Sequence, residues 1–426
     1  MTIAQTATAT KRRFGVLAAD FAVLGLNYAD RAAFGIAGPL IIAEFGFSNA
    51  AFGWLASIFA LAYSPFGFIG GWLADRFGPR NVMGWAVIAW SAFTALTAAG
   101  VGFVSLLIIR FLFGAGEGPQ ATVTAKLMHN WFPKRELGTA LGIANAATPL
   151  GGAVATPVVV GIMHATQGNW RLPFLIFGAL GVLAAIGWFW VVRDTPEQHP
   201  KVNEAEVRVI RQDQDEVAAA EQEDAPGFWS CVAKPAVWAT AIAYFGYAWI
   251  LWTFVSWFPN YLVQERGIDL DGLAIAGAIP WVGGCVGLIA GGALTDWLVR
   301  RMGDPEAPRR WLVIICLAAT AVLFALVSMV TTTFAAVAVM TVVVFLLYLT
   351  GAQYWIIVGE AVPAARYGAV SGAVQMFATS ASIFAPLVTG YLADSSLGWG
   401  GVFVVAGSIT IIGPVLLLFA GRRRRA

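Results

Sequence analysis

Long apolar runs separated by short polar stretches cover most of the chain from Phe14 onward. A helix needs about 20 mainly apolar residues to cross a hydrocarbon core about 30 Å thick. Runs of that size predict twelve membrane-spanning helices. The first six predicted spans are 14–37, 51–73, 81–100, 103–127, 137–164 and 170–192, and the second six are 235–263, 271–299, 310–331, 334–359, 366–393 and 400–421.

The composition supports an all-α membrane protein. The 426 residues are 59% hydrophobic and 12% charged, with a mean hydropathy of +0.74, whereas soluble globular proteins carry about 25% charged residues. The three cysteines and three histidines lack the spacing of disulfide frameworks or metal sites. Motifs for nucleotide binding, nucleophilic catalysis or DNA binding are also missing from the sequence. We therefore expect no cofactor, no metal, no enzymatic activity and no nucleic-acid partner.

One long hydrophilic stretch, 193–232, separates the spans into two groups of six. Its aspartates and glutamates lie among alanine and valine, which predicts a solvated connector that is partly an amphipathic helix. We therefore predict an N-terminal six-helix bundle over 1–192, a linker over 193–232 and a C-terminal six-helix bundle over 233–426.

The two groups of spans repeat one another. Residues 70–76 read GGWLADR and residues 291–301 read GGALTDWLVRR, each at the end of the second span of its half. Proline and glycine also recur with nearly the same spacing in Pro133, Gly138, Gly142, Pro157 and Gly161 and in Pro363, Gly368, Gly372, Pro386 and Gly390. Such repetition predicts two pseudo-symmetric bundles and is typical of transporters whose halves move about a midplane site.

Basic residues lie mainly on one side of the predicted bilayer. They precede the first span, follow spans two, four, eight and ten, and fill 422–425. Lysine and arginine favour cytoplasmic loops, so we expect both termini to be cytoplasmic.

The stretch GGWLADRFGPR at 70–80 has the chemistry of a gate at the basic side of the bundle. Gly71 permits close helix packing, Asp75 can accept hydrogen bonds from a helix end or pair with a cation, and Arg76 and Arg80 suit the headgroup region. Asp296 is the matching carboxylate of the second half. These residues predict a latch that breaks when the halves separate; the alternative is a plain basic loop.

This stretch resembles the signature between helices two and three of the major facilitator superfamily. Within that superfamily, NYADR at 27–31, RFLFGAGEGPQ at 110–120, WFPKRELGTALG at 131–142 and TPEQHPKVNEAE at 195–206 resemble the anion:cation symporter family. The resemblance extends over about residues 12 to 420. It implies a multi-pass transporter of organic anions, located for a bacterial member in the inner membrane.

Four charged residues inside the predicted spans are candidates for the site: Asp30, Arg31, Arg110 and Glu117. Each costs about 2.5–3.5 kcal/mol to insert near the bilayer centre, so each suggests a function. Arg110 and Glu117 are seven residues apart and therefore share a helix face. Tyr28 and Arg31 share a face of the first helix, whereas Asp30 points about 100° away from Arg31.

The chemistry of these four groups favours an anion site coupled to protons. Arginine presents a planar, charged fork that fits a carboxylate or sulfonate, and burial favours the neutral form of a carboxyl group. The resemblance implies proton coupling at Asp30 and Glu117, and substrate binding or its linkage to protonation at Arg31 and Arg110. The alternative is structural: the carboxylates neutralise the arginines and hold helices together.

Further residues are weaker candidates to line the site: Tyr63, Asn145, Tyr247, Trp252 and Gln375. Where relatives often carry a Gln and a Pro after the helix-two tyrosine and an Asn in helix seven, this chain has Gly67, Ile69 and Ala248. Fewer amides leave fewer partners for substrate hydroxyls. This favours a short carboxylate, an aromatic acid or a small sulfonate over a sugar acid, and leaves the identity of the anion open.

The sequence as a whole predicts a secondary active transporter that imports a small organic anion with protons by alternating access. Its partners would be the anion, protons and the lipid bilayer, and we expect a monomer. An anion exchanger without proton coupling is one alternative. A membrane sensor on a transporter fold is another, but the short predicted tails leave no room for a signalling domain.

Overall fold

The structure, a computed structural model, describes residues 8–211, 226–302 and 306–420, apart from the side chains of 134, 296, 306, 364 and 365. The described residues are almost entirely helical. In chain order the helices are α1 Arg12–Phe45, α2 Asn49–Phe77, α3 Pro79–Thr97, α4 Phe103–Glu117, α5 Gln120–Trp131, α6 Lys134–Ala165, α7 Arg171–Val191, α8 Glu204–Arg211, α9 Phe228–Val232, α10 Pro235–Gln264, α11 Leu270–Met302, α12 Glu306–Leu326, α13 Thr333–Thr350, α14 Gln353–Ala361, α15 Ala364–Thr379, α16 Ala381–Asp394 and α17 Gly398–Ala420. Short 3₁₀ turns follow at Pro196–Gln198 and Val327–Met329.

Each predicted span coincides with one helix or with two helices in series. Within the described residues, nine helices are long and apolar enough to cross a membrane. The other three predicted spans coincide with α1, α3 and the α4–α5 pair. Charged residues interrupt the apolar sequence of α1, and α4 and α5 are individually short because the chain breaks at Gly118 and Pro119. Proline has no backbone N–H to donate, which weakens the helix at that point.

Helix packing repeats between the two groups of spans. In the first group α3 packs on α7 and α2 on α4; in the second, α12 packs on α17 and α11 on α13. The break between α4 and α5 recurs between α13 and α14, at Gly351 and Ala352. The fold is therefore two similar helix sets, which we call the first set (α1–α7) and the second set (α10–α17).

The two sets meet along three helix pairs: α2 with α16, α6 with α11 and α1 with α10. We call the end of the bundle that carries residues 193–211 and 226–234 the linker face and the opposite end the distal face. A side chain at Gly35 of α1 would collide with the Val255 carbonyl of α10. At Gly53 of α2 an added Cβ would lie 2.8 Å from the Pro386 carbonyl oxygen. Glycine is therefore needed where these helices cross.

Polar contacts between the sets gather at the distal face. Asp394, which ends α16, accepts hydrogen bonds from the backbone N of Asn49 (3.1 Å) and of Ala50 (2.7 Å) at the start of α2. Trp54 Nε1 donates to the Tyr391 hydroxyl at 3.2 Å. These contacts close the distal end of the bundle.

At the linker face the hydrogen bonds of Arg80, Lys126 and Lys234 each stay within one helix set. A Cβ at Gly142 of α6 or at Gly372 of α15 would meet nothing within 4 Å. The helix α8 docks on the first set there, because the buried carboxylate of Glu206 accepts hydrogen bonds from the backbone N of Arg12 (3.1 Å) and of Arg13 (3.0 Å) at the start of α1. Cited polar contacts thus join the two sets at the distal face but not at the linker face, and in this sense we call the distal face closed and the linker face open.

Candidate functional site

A buried ion pair lies at the middle of the first set. Arg31 Nε on α1 donates to Glu117 Oε2 on α4 at 2.7 Å, and their side chains are 5% and 0% exposed. Glu117 thus pairs with the arginine of the neighbouring helix rather than with Arg110 of its own helix. A buried pair of this kind is costly to break, at about 3–5 kcal/mol when one partner is removed.

Aromatic rings enclose the Arg31 guanidinium. Its Cζ lies 4.9 Å from the ring centroid of Tyr28, 4.8 Å from Tyr63, 5.3 Å from Phe59 and 5.7 Å from Trp252. Rings at these distances attract a cation through their negative faces. Trp252 belongs to α10, so this enclosure brings together residues from both helix sets. The structure therefore joins four of the predicted site residues, Tyr28, Arg31, Tyr63 and Trp252.

Arg110 is also buried, but it has a different environment. Its Cζ lies 4.1 Å from the ring centroid of Phe34 and 5.0 Å from those of Phe59 and Phe113, and its Nε donates to the Leu55 carbonyl at 3.5 Å. Among the described residues no carboxylate lies within ion-pair distance of it. Phe59 therefore separates two guanidinium groups, of which one is paired with a carboxylate and the other is not.

Asp30 is 2% exposed and forms no ion pair with Arg31 in the described part of the structure. Thr94 of α3 lies beside it, but both Asp30 oxygens lack a completed hydrogen bond. Asn27, one turn earlier on α1, is fully buried and lies beside Glu117, again without a completed hydrogen bond. The site therefore contains several polar atoms whose hydrogen-bonding capacity is unused.

Tyrosines from the second set face this cluster. Tyr244 stacks on Tyr354 with ring centroids 4.8 Å apart, and Tyr247 contacts both at 5.5 and 5.6 Å. Tyr348 is buried nearby beside Thr148 of α6, and its hydroxyl group completes no hydrogen bond within the described residues. Gln375 lies beside Tyr244, and its Oε1 is buried without a partner.

Sequence reasoning missed Tyr348 and Tyr354 in this group. Tyrosine in an apolar run is usually a packing residue, so its presence gave no signal. A buried carboxyl group, Asp20 of α1, was missed as well, although a carboxylate inside a predicted span was a signal that could have found it.

Asn145 lies apart from this cluster. Its side chain is exposed on α6, and Nδ2 donates to the Leu141 carbonyl of the same helix at 2.8 Å. An intrahelical hydrogen bond of this type uses the amide locally. The structure thus does not bring Asn145 into contact with the two arginines.

The predicted gate residues make contacts inside the first set. Lys126 Nζ of α5 binds the Asp75 carboxylate and donates to the Ala74 carbonyl at 3.0 Å. The Arg76 guanidinium is exposed beside the rings of Trp72 and Phe77. The Asp75 contact found here does not link the two sets, in keeping with the open linker face.

Arg80 fastens the motif to the end of α7. Its backbone N donates to Asp194 Oδ1 and its Nη2 donates to the Phe189 carbonyl, both at 2.8 Å. Close helix packing, predicted at Gly71, occurs one residue earlier: an added Cβ at Gly70 would collide with Pro119, whereas at Gly71 it would lie 3.7 Å from Thr122. Successive residues point about 100° apart on a helix, so Gly70 faces the break between α4 and α5, whereas Gly71 faces α5 at an ordinary van der Waals distance. The side chain of Asp296 lies outside the described part of the structure.

The profile of the Major Facilitator Superfamily matches residues 21–386. The chain belongs to this superfamily and is a multi-pass membrane transporter rather than an enzyme.

Three relatives illustrate what the chain is similar to. It is 34% identical to the hexuronate transporter of Bacillus subtilis, over 92% of this chain and 91% of that protein. It is 29% identical to the "Probable sulfoacetate transporter SauU" of Cupriavidus necator, over 96% and 94%. The D-galactonate transporter of Escherichia coli is 28% identical over 97% of each chain.

A solved structure shares the fold. A bacterial homologue of the human lysosomal transporter Spinster, in an inward-facing and unoccupied conformation, superimposes with a TM-score of 0.76. The match covers 97% of this chain and 98% of that one, at 18% sequence identity.

Proposed function

We propose that this protein imports a small organic anion, a carboxylate or a sulfonate, together with protons by alternating access. The observation that carries the proposal is the unequal pairing of two buried arginines. Arg31 is paired with Glu117, whereas Arg110 is 6% exposed and surrounded by rings and one carbonyl oxygen. A buried charge without a counter-ion is costly, and an anion bound at Arg110 removes that cost.

The charges of the site connect anion binding with protonation. With Asp30, Arg31, Arg110 and Glu117 all ionised the site is neutral. One proton on either carboxyl group leaves a single net positive charge, which attracts a monovalent anion. Loss of that proton restores neutrality and favours release of the anion. Asp30 and Glu117 are the proposed proton carriers because both are buried next to the arginines.

The aromatic rings around Arg31 and the names of the relatives bear on the kind of anion that is transported. The relatives are named for hexuronate, sulfoacetate and D-galactonate, each of which carries one carboxylate or sulfonate group or both. Tyr28, Tyr63 and Tyr247 are proposed to contact the body of the anion, with Trp252 and Gln375 beside them. The guanidinium group of Arg110 would bind its acidic group bidentately, with Arg31 close to the body of the anion.

The orientation of the chain in the membrane is inferred from the distribution of basic residues. We propose that the linker face is cytoplasmic, that both termini lie there, and that the protein resides in a bacterial inner membrane. The N-terminal bundle 1–192 and the C-terminal bundle 233–426 would rock about the site, with 193–232 as their connector. Closure at the distal face and access from the linker face then correspond to a state open to the cytoplasm.

The proposal is tested with purified full-length protein. Thermal-shift measurements compare D-glucuronate, sulfoacetate and benzoate with glucose as a neutral control; an anion that binds raises the unfolding temperature and glucose does not. The active anion is then supplied to proteoliposomes, with and without an imposed pH gradient. Accumulation that requires the gradient supports symport.

Glu117→Gln separates symport from exchange. The amide retains the shape of the side chain but binds no proton, so we expect uptake driven by the gradient to be lost while exchange of internal for external anion continues. Glu136→Gln is the matched control, because it removes a carboxylate from the linker end of α6, outside the site. Gradient-driven uptake that persists in Glu117→Gln contradicts the proposed role of Glu117. If the unmodified protein exchanges anions but never responds to a pH gradient, the protein is an anion exchanger without proton coupling.

A further inference from the structure

Asp20 of α1 is a buried carboxyl group that the anion site does not use. It is 0% exposed, and its Oδ1 accepts a hydrogen bond from Thr124 Oγ1 of α5 at 2.8 Å. Its other oxygen, Oδ2, has no hydrogen-bond partner, and no cation of the described residues lies within ion-pair distance. An ionised carboxylate with one hydroxyl partner is costly at such a position, whereas an asparagine would accept the same hydrogen bond without that cost.

A line of buried polar groups runs from the Arg31–Glu117 pair towards Asp20. Along α4 and α5 the polar residues after Glu117 are Gln120 and Thr124, and Gln120 Nε2 donates to Thr124 Oγ1 at 3.3 Å. All are buried, although they are flanked by apolar side chains. The rise of an α-helix separates the two ends of this line by about 10 Å.

The facing helix continues the same line. On α1, Asp20 and Asn27 are seven residues apart and therefore share one face. Asn27 lies beside Glu117, and both of its amide atoms are buried without a partner. Unpartnered buried amides are the groups that hold an ordered water in a protein interior. With a water bound at Asn27, the carboxyl groups, the Thr124 hydroxyl and that water would form a chain able to pass a proton.

The charged groups around Asp20 leave its charge uncompensated. Two turns nearer the linker face, Arg13 of α1 is bound by Glu136 of α6 and Glu206 of α8. On α5, Lys126 is bound by Asp75 of α2.

From α7, the buried residues Ala185 and Trp188 are apolar, as are Ala140 and Ala144 of α6. Within the described residues no cation lies within ion-pair distance of Asp20, so a proton would supply its counter-charge.

We propose that Asp20 is a proton-binding site on a buried route that leads from Glu117 to the linker face, separate from the opening through which the anion leaves. In the transfer, the O–H bond of protonated Glu117 breaks and its proton passes to bound water, which gives a proton to the Thr124 hydroxyl as that hydroxyl gives its own proton to Asp20 Oδ1. Glu117 is left as a carboxylate paired with Arg31, and Asp20 later gives its proton to water at the linker face. This proposal rests on the proton coupling proposed above.

The first test detects the proton directly and needs no transported anion. Infrared difference spectra are recorded on full-length protein in lipid while the pH of the medium is changed. We expect a C=O stretch of a protonated carboxylic acid that is absent from the spectra of Asp20→Asn. Spectra of Asp20→Asn that match those of the unmodified protein overturn the proposal.

The second test measures transport in proteoliposomes with radiolabelled D-glucuronate or sulfoacetate and an internal pH dye. In Asp20→Asn we expect gradient-driven uptake to slow by about tenfold, which corresponds to about 1.4 kcal/mol in a barrier, while anion exchange keeps its rate and KM. Thr124→Val should behave in the same way, and Thr124→Ser, which keeps the hydroxyl, should not. A structural role for Asp20 would lower both activities and the unfolding temperature together, and that result overturns the proposal.

The two proposals fail in different ways. If the unmodified protein exchanges anions but does not respond to a pH gradient, proton symport is wrong and the route falls with it. If the unmodified protein is driven by the gradient and Asp20→Asn is driven equally fast, only the role of Asp20 is wrong.

Discussion

Asp394 joins the two helix sets at the distal face, and we predict that its removal shifts the protein away from the distal-closed state. Its carboxylate accepts hydrogen bonds from the backbone N of Asn49 at 3.1 Å, from Asn49 Nδ2 at 3.0 Å and from the backbone N of Ala50 at 2.7 Å. These backbone N–H groups lie in the first turn of α2, where no intrahelical partner exists for them. Asp394→Ala leaves all three donors to water.

The size of the effect follows from these contacts. A side chain that caps a helix N-terminus contributes about 1 kcal/mol, and a negative charge at that end adds about 0.3–1 kcal/mol. The total of about 1–2 kcal/mol lowers the ratio of distal-closed to distal-open protein by about 5–30-fold. Asp394→Asn keeps an acceptor but removes the charge, so we expect about half of that free-energy change.

The populations can be measured by double electron–electron resonance. Spin labels at Ala99→Cys and Met329→Cys, in a background in which the native cysteines are replaced, report the separation of the two sets at the distal face. Asp269→Ala is the matched control, because Asp269 Oδ1 accepts from the backbone N of Gly272 at 2.9 Å within the second set alone. We expect a longer-distance population in Asp394→Ala and none in the control. Unchanged distances in Asp394→Ala, or an equal change in both variants, would refute the reasoning.

Three further predictions concern other contacts. Arg110→Lys keeps the charge but loses the planar fork; loss of one charge-assisted hydrogen bond, about 1.5–3 kcal/mol, should raise the Kd of the anion by about 10–150-fold in calorimetry. Glu206→Gln should lower the unfolding temperature in tryptophan fluorescence because it weakens the buried acceptor at the start of α1, whereas the exposed Glu204→Gln should not. The Arg211 guanidinium lowers the pKa of Glu197 to about 2, so their pair stabilises the fold above the ordinary carboxyl pKa of about 4.3 and loses that contribution as the pH falls towards 2. Because both side chains are partly exposed, we expect an effect below about 1 kcal/mol, seen as a lower unfolding temperature of Glu197→Gln at pH 7 that converges with the unmodified protein in acid.

The fold was predictable because the membrane dictates it. Only long apolar helices satisfy their backbone in lipid, so the runs of apolar residues located the twelve spans. The breaks between two helices of one span were harder to predict from the sequence. Pro119 marked one of them, but the break at Ser380 between α15 and α16 follows from tertiary packing that no local pattern announces.

The sequence indicated which charged residues are buried better than it indicated which carboxylate pairs with which arginine. Burial of Arg31, Arg110 and Glu117 followed from their positions inside spans, and helical spacing correctly separated Asp30 from Arg31. Which carboxylate meets which arginine depends on the rotation of α1 against α4, and that rotation is set by packing over the whole bundle. Asn145 shows the same limit: it is a polar residue in the predicted fifth span, but its amide bonds to its own helix and does not contact the two arginines.

Arg31 is the group through which a proton and an anion would influence each other. Its Nε is held by Glu117, while its Nη2 is buried without a hydrogen-bond partner in the described part of the chain. When Glu117 is neutral, the charge of the Arg31 guanidinium is available to an anion. An anion bound at Nη2 in turn compensates that charge and so favours the neutral form of Glu117. Linkage requires the two effects to be equal in free energy. Because the rings of both helix sets enclose this one guanidinium, a change in its partners also acts on the contact between the sets, which is the movement that alternating access requires.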